Sequence, residues 1–238
     1  MDWKTLANAL FPQGHDIVEH EHFLSGTARV NGDTVTVIGT TEHAPIGVEI
    51  ALAQAKAILA TVRSHPGRAI VMLVDTQGQR LRHRDEMLGI NSYMAHLGRC
   101  VDLARRRGHR VIGLVYDQAL SGGFITSGLM ADACYALPDA TIRVMGLPAM
   151  ARITKVPEET LVELAKSNPV FAPGPENYLR MGGLQAIWDS DLAASLASAL
   201  AGAPRADERS ALGLARGGRK MAQPVIDAIM SGNHVRAA

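Results

Sequence analysis

Two continuous apolar runs of strand length constrain the fold of this chain more than any other feature. They occupy residues 69–75 (AIVMLVD) and 110–116 (RVIGLVY), and neither alternates between apolar and polar residues. A strand that is apolar throughout has to be covered on both faces, as in a parallel sheet flanked by helices. Residues 85–107, between the runs, have the length of a long helix that ends at Gly108. The order strand, helix, strand predicts a layered α/β domain with right-handed crossovers.

The rest of the chain supports one such domain with short extensions. Asn31-Gly32 lies between two β-branched runs and predicts a tight hairpin over residues 27–39. Further helices are expected at residues 48–64, 124–131, 157–167, 177–181 and 192–201, and strands at 134–137 and 141–145. We therefore divide the chain into an N-terminal arm with a short helix (1–24), the α/β domain (25–201) and a C-terminal tail that closes with a short helix (202–238).

Composition excludes several classes of protein. The formal net charge is +1 and aromatic residues make up 4%, so neither electrostatic steering nor base stacking favours a nucleic-acid partner. The longest aliphatic run, residues 69–74, is too short to cross a bilayer. Two cysteines make no disulfide framework. The simplest expectation is a globular protein of the cytoplasm without membrane or nucleic-acid partners.

Glycine-containing loops are expected after both buried strands, at residues 76–83 and 118–123. Ligands bind at the carboxyl ends of strands in such folds. The sharper signal is Ser121-Gly122-Gly123, which follows a strand and opens a helix. Backbone N–H groups exposed there can bind a phosphate or a developing oxyanion, but close packing of the helix on the sheet is an equally good explanation. Neither a G-x-G-x-x-G nor a P-loop pattern is present.

Other chemistry is less well supported by the residues. Ser121 lies in LSGG rather than in a G-x-S-x-G elbow, so a nucleophilic serine is a minor alternative. The nine histidines do not occur at metal-ligand spacing, and no metal site is predicted. Cys100 and Cys134 are expected to be packed rather than reactive.

A locally basic stretch covers residues 80–110. It holds Arg80, Arg82, Arg84, Arg99, Arg105, Arg106, Arg107 and Arg110 against Asp85, Glu86 and Asp102. A solvated helix face is the simpler interpretation. The functional alternative is a patch that attracts a carboxylate, a coenzyme A tail or an acidic protein near the first loop.

Five separate segments, in the right order, resemble the acyl-CoA carboxyltransferases. Asp75-Thr76-Gln77-Gly78 is similar to their Asp-Thr-Pro-Gly, and residues 121–124 are similar to their Gly-Gly-Ala-Tyr turn. The other matches are at residues 86–104, 131–146 and 181–187, so the resemblance covers about residues 70–190. It implies a crotonase-like ββα spiral fold and the C-terminal-type half of a carboxyltransferase. Within the family, glutamine in place of proline at position 77 and the histidine-rich N-terminal segment most resemble malonate decarboxylase gamma subunits.

That resemblance implies an activity and its site. Together with a beta subunit of the N-terminal type, such a chain decarboxylates a malonyl thioester carried on an acyl carrier protein to an acetyl thioester. The expected catalytic positions are Gly78, Gly122 and Gly123, whose N–H groups would hold an enolate oxygen. The substrate-binding positions are Gln79, Arg80, Arg82 and Ser121. No cofactor is expected on this chain, because the thioester on the carrier's prosthetic group is itself the substrate.

Two other functions fit the same residues. One is the alpha-type half of a biotin-dependent acyl-CoA carboxyltransferase. The other is a non-catalytic partner subunit in which the glycine-rich turn only packs.

Overall fold

The computed structural model describes residues 1–166, 174–204, 206–218 and 220–232. The strands in this part of the chain are β1 (Val18–His20), β2 (Phe23–Val30), β3 (Asp33–Thr40), β4 (Ala44–Ile46), β5 (Ile70–Gln79), β6 (Val111–Leu120), β7 (Ala133–Ala136), β8 (Thr141–Arg143) and β9 (Ala186–Ile187). The helices are α1 (Trp3–Leu10), α2 (Val48–Ser64), α3 (His83–Met87), α4 (Ile90–Arg106), α5 (Ser121–Thr126), α6 (Leu147–Thr154), α7 (Glu158–Ala165), α8 (Glu176–Arg180), α9 (Leu192–Gly202), α10 (Arg209–Ala215) and α11 (Ala222–Met230).

The sheet has the strand order β1-β2-β3-β5-β6-β7-β9. Strand β2 is antiparallel to both of its neighbours, β1 and β3. Every pairing from β3 to β9 is parallel. This confirms the predicted α/β class. The hairpin between β2 and β3 is also confirmed, since Asn31 and Gly32 both have positive φ, at 51° and 84°.

Strands β5 and β6 are longer than the sequence indicated. They were expected to end at Asp75 and Tyr116, but they continue to Gln79 and Leu120. Their register shifts between Val74 and Thr76, and beyond that point β5 pairs with β4 while β6 pairs with β8. The predicted loops are thus partly strand, and β4 and β8 join the same nine-stranded sheet as partners of these extensions.

Helices cover both faces of the main sheet. On one face α1 and α9 pack over residues of β5 and β6 such as Leu73 and Leu114. On the other face α2 and α4 cover Met72, with Ile58 and Leu97 fully buried. Residues 1–24 therefore lie against the body of the domain, since α1 contributes to the first core and β1 to the sheet.

Several helix boundaries differ from the prediction. The segment expected as one helix over 85–107 is divided into α3 and α4 at Gly89, whose φ is 76°. The helix expected over 124–131 begins earlier, at Ser121, and is followed by a 3-10 turn, Gly128–Met130. Helix α6 and strand β4 were not predicted. Ser167, the expected end of α7, lies outside the described residues, as do positions 205, 219 and 233–238 of the predicted tail.

The helix α11 matches the short closing helix expected in that tail. None of the helices in the described segments has the length and apolar character needed to cross a membrane.

The packing of β6 on the 3-10 turn gives a test of the fold. A Cβ on Gly113 would lie 2.5 Å from the carbonyl oxygen of Gly128, whereas a Cβ on Gly98 of α4 would meet nothing within 4 Å. We expect Gly113→Ala to lower the free energy of unfolding by about 1–3 kcal/mol through overpacking. Gly98→Ala is the matched control and should raise it by about 0.5–1 kcal/mol. Urea denaturation of the two variants measures both values, and equal effects would contradict the described packing.

Candidate active site

The ends of β5 and β6 meet at a glycine contact. A Cβ on Gly123 would lie 3.1 Å from the Cα of Gly78, 3.1 Å from Thr76 Oγ1 and 3.0 Å from Ile46 Cγ1. Gly78 has a φ of 98°, and a Cβ there would lie 2.8 Å from the Cβ of Ser121. Only glycine at both positions lets the first turn of α5 approach the end of β5 this closely. The structure thus brings together the two predicted glycine turns.

The backbone N–H groups at this contact differ in their partners. The Gly78 N–H donates to Thr76 Oγ1 at 2.9 Å, and the Thr76 hydroxyl donates to the carbonyl of Ala44 at 2.6 Å. The N–H groups of Gly122 and Gly123 stand in the first turn of α5 and reach no acceptor within the described residues. These two N–H groups therefore lack a partner among the described residues, with Gly122 partly exposed and Gly123 buried, while the Gly78 N–H is engaged inside the protein.

Ser121 precedes the two free donors in a left-handed conformation, with a φ of 54°. Its hydroxyl makes no hydrogen bond to a histidine or carboxylate in the part of the chain that the structure describes. A serine nucleophile needs such a base to take its proton. The geometry supplies donors at this turn but no activated nucleophile.

Gln79 is a predicted substrate-binding residue of β5 that lies beside the free donors. A Cβ on Gly122 would stand 2.8 Å from Gln79 Oε1. The amide side chain therefore covers Gly122 and forms one wall of the site.

The three predicted arginines beyond β5 belong to an ion-pair cluster with Glu49 of α2. Arg80 and Arg82 lie 3.9 Å and 3.7 Å from Glu49 Oε2, and Arg84 hydrogen-bonds the other oxygen. The hydrogen bond from Arg84 holds the pKa of Glu49 below its ordinary value. The positive charge predicted from sequence is thus largely balanced by acidic residues, and Arg80 has the longest of these contacts.

Asp85 anchors this cluster to the domain. Its carboxylate is fully buried, accepts the Val48 N–H at 3.0 Å and is paired with Arg82 Nε at 2.7 Å. Burial raises the pKa of Asp85, but the hydrogen bonds from Arg82 and Val48 outweigh it, so that the pKa lies below its ordinary value. Asp85 therefore caps the amino end of α2, which satisfies one of the helix's unpaired donors. Arg82 therefore holds the carboxylate of Asp85 in its capping position, which is a structural role.

Sequence reasoning missed three parts of this site. Thr76 and Ile46 contact the glycine pair, and Glu49 pairs with the arginines. Glu49 gave no local signal, because it comes from α2 and is brought to the arginines only by the fold. Thr76 did give one, since a hydroxyl at the end of an otherwise apolar run needs a buried partner.

The sheet with its bent strands, together with a glycine turn that presents two free N–H groups, defines a crotonase-like carboxyltransferase domain. The sequence model of the family described as "malonate decarboxylase gamma subunit" matches residues 41–233. The chain belongs to that family.

Relatives and solved structures agree with this assignment. A malonyl-S-ACP:biotin-protein carboxyltransferase of Malonomonas rubra is 31% identical over 182 residues, which are 68% of this chain and 62% of the relative. This chain thus spans less than two thirds of that protein.

Among solved structures, the MdcD–MdcE hetero-dimer of a Pseudomonas malonate decarboxylase matches with a TM-score of 0.76 at 26% identity, covering 95% of this chain and 97% of that one. A subunit of transcarboxylase 12S has the same fold, with a TM-score of 0.71 at 22% identity over 84% of this chain and 41% of that one.

The Asp85 cap gives a second test. Asp85→Asn keeps the shape but weakens both hydrogen bonds, so we expect the free energy of unfolding to fall by about 1–3 kcal/mol. Because the folded-state pKa is lowered, the wild-type contribution is complete above the unfolded pKa of about 3.9 and is lost as the pH falls through the lowered value. Chemical denaturation at several pH values measures this. The exposed neighbour Glu86, changed to Gln, is the control, and an equal loss in both variants would contradict the capping role.

Proposed function

We propose that this chain is the gamma-type half of a malonate decarboxylase. With a beta subunit it would remove carbon dioxide from a malonyl thioester on an acyl carrier protein and leave the acetyl thioester. The observation that carries the proposal is the pair of unpartnered N–H groups of Gly122 and Gly123, held against Gly78 in a chain of this family.

The chemistry requires a place for negative charge. When the bond between the malonyl Cα and its carboxylate breaks, the electron pair of that bond moves toward the thioester carbonyl and forms an enolate. Two backbone donors aimed at the enolate oxygen stabilise this charge without reorganisation. A proton then adds to the Cα to give the acetyl group. This sequence needs no nucleophile, and we propose no cofactor on this chain for it.

The walls of the site suit a thioester chain. Gly78 allows the glycine turn to lie close to β5. The Thr76 hydroxyl holds Gly78 in place by accepting the Gly78 N–H. Gln79 offers an amide beside Gly122, and Ser121 a hydroxyl next to it. We assign the attraction of an anionic substrate or carrier to Arg80, whose contact with Glu49 is the longest in the cluster.

A partner subunit is part of the proposal. The hetero-dimeric state of the Pseudomonas relative supports it. The helix α11 also supports it, because large apolar residues in and beside it are exposed. These are Met221, Val225, Ile226, Ile229 and Met230. Exposed apolar clusters of this kind mark protein–protein contacts.

A second function has its own support. The Malonomonas relative is by name a carboxyltransferase to a biotin protein. In that reaction the same enolate forms, but the carboxyl group passes to biotin rather than leaving as free carbon dioxide. The two functions share the site and differ in the carboxyl acceptor.

The test uses the chain co-expressed with a beta subunit of the N-terminal type. We expect carbon dioxide release from malonyl-loaded carrier by the pair, no release by either chain alone, and no inhibition by avidin. Release that avidin abolishes would assign the biotin-dependent function. A pair that assembles but never releases carbon dioxide, with or without a biotin protein, would leave only the non-catalytic role.

The donors themselves are tested by Gly123→Ala. The added Cβ would meet Gly78, Thr76 and Ile46 at 3.0–3.1 Å and displace the turn. We expect kcat to fall by about 10²–10³-fold, the loss that follows removal of one oxyanion donor. Steady-state decarboxylation by the assembled complex measures it, with assembly checked by size-exclusion chromatography.

Ser121→Ala is the matched control at the same turn. It removes the hydroxyl and keeps the backbone donors, so its effect on kcat should be much smaller than that of Gly123→Ala. An inactive Ser121→Ala enzyme beside a fully active Gly123→Ala enzyme would contradict the proposal and indicate covalent catalysis by the serine.

A further inference from the structure

A group of metal-binding side chains lies where β5 and β6 bend, on residues that the proposed reaction does not use. It consists of His43 before β4, Asp75 in β5 and Asp117 in β6, whose ligand atoms all lie within 4.8 Å of one another. Asp75 precedes Thr76 directly. Since successive side chains of a strand point to opposite faces, this group lies on the face of the sheet away from α5 and the glycine turn.

The distances within the group suit ligands around a cation, and His43 Nε2 and Asp117 Oδ1 also lie within hydrogen-bond distance of each other. His43 Nε2 lies 3.3 Å from Asp117 Oδ1 and 3.6 Å from Asp75 Oδ1. A charge-assisted hydrogen bond would bring these atoms to about 2.7–2.9 Å. Zinc bonds of about 2.0–2.1 Å in tetrahedral geometry place a nitrogen and an oxygen ligand about 3.4 Å apart. The two observed distances lie on either side of that value.

The buried carboxylate is held in place by the backbone. Asp75 is 3% exposed, and its two oxygens accept the N–H groups of His43 at 2.9 Å and Gln118 at 3.3 Å. Such outer hydrogen bonds orient a ligand toward its metal. No lysine or arginine forms an ion pair with Asp75 or Asp117 anywhere in the described residues. Two carboxylates therefore converge on one imidazole with no lysine or arginine paired to them, and Lys4 lines the same cavity without contacting them as an ion pair.

The site is also accessible. A cavity of ≈ 490 Å³ is lined by all three side chains, and Thr41 and Tyr116 form part of its wall. His43 and Asp117 are about half exposed, with side-chain exposures of 51% and 43%. A cation can enter with water as its remaining ligands. The Tyr116 hydroxyl is not a ligand, because it donates to the carbonyl of Thr40 at 2.9 Å.

We propose that His43, Asp75 and Asp117 form a binding site for a divalent cation of the zinc type. One imidazole and two carboxylates suit zinc, cobalt or manganese better than magnesium or calcium, which prefer oxygen ligands alone. The cation ties the segment before β4 to the bends of β5 and β6, just before the strand ends that lie against the glycine turn. Its role is to stiffen those bends.

A neighbouring group provides the control. Glu19, His22 and Glu42 also lie within reach of one another, with His22 Nδ1 3.1 Å from Glu42 Oε2, but Glu19 accepts the Trp3 indole N–H. This group has no buried carboxylate at its centre. We expect it to contribute nothing to cation binding.

The experiment titrates the chelator-treated full-length protein with Zn²⁺ by calorimetry and with Co²⁺ by visible absorption. We expect one cation per chain and a visible absorption spectrum of bound Co²⁺ that indicates a nitrogen ligand. The midpoint of thermal unfolding should rise, since the cation binds the folded state. His43→Gln and Asp117→Asn should each weaken binding by about 100-fold or more and abolish the thermal shift. Both side chains are half exposed, so the variants should fold, which circular dichroism in chelator checks.

His22→Gln should bind like the wild type. The proposal is overturned if the wild type takes up no cation, if His43→Gln and Asp117→Asn bind as tightly as the wild type, or if His22→Gln loses binding to the same extent as they do.

Discussion

The contact between Gly78 and Gly123 is the constraint on which the candidate site depends. With no side chain at either position, the first turn of α5 lies directly on the end of β5. The hydroxyl of Thr76 fixes the same point by accepting the Gly78 N–H and donating to the carbonyl of Ala44 in β4. The rigid strand end then supports the turn, and the N–H groups of Gly122 and Gly123 remain unpaired. A donor pair that is left free by packing is preorganised for an oxyanion, because nothing has to move when the charge appears.

The long strands β5 and β6 link this turn to the rest of the molecule. Their first halves are buried in the main sheet between α1 and α9 on one face and α2 and α4 on the other. Their second halves remain paired with each other at Thr76 and Ala119 and also pair with β4 and β8. The bend, between Val74 and Thr76 in β5, separates two groups of polar residues on opposite faces. The glycine turn lies on the face of α5, and the group of His43, Asp75 and Asp117 lies on the other.

Much of the fold could be predicted from local sequence. The apolar runs indicated β5 and β6, and the Asn31-Gly32 pair indicated the hairpin. The glycine turns were indicated by their position after the two strands, and the family resemblance added their catalytic role. The ends of the strands could not be predicted, because Thr76 and Gln79 resemble loop residues until their partners in β4 and α5 are known. The roles of the arginines could not be predicted either. The three charges are partly balanced by Glu49 and by the buried Asp85, and only the fold brings Glu49 to them.

The most direct test of the account is a crystal structure of the complex with the beta subunit and a non-decarboxylating malonyl thioester analogue. The account predicts that the thioester oxygen lies about 2.7–3.1 Å from the backbone nitrogens of Gly122 and Gly123, the distance required of oxyanion donors. It also predicts that the Gly78 N–H stays bonded to Thr76. An analogue whose oxygen lies elsewhere, with both glycine N–H groups bonded to water or to the partner subunit, would contradict the central claim.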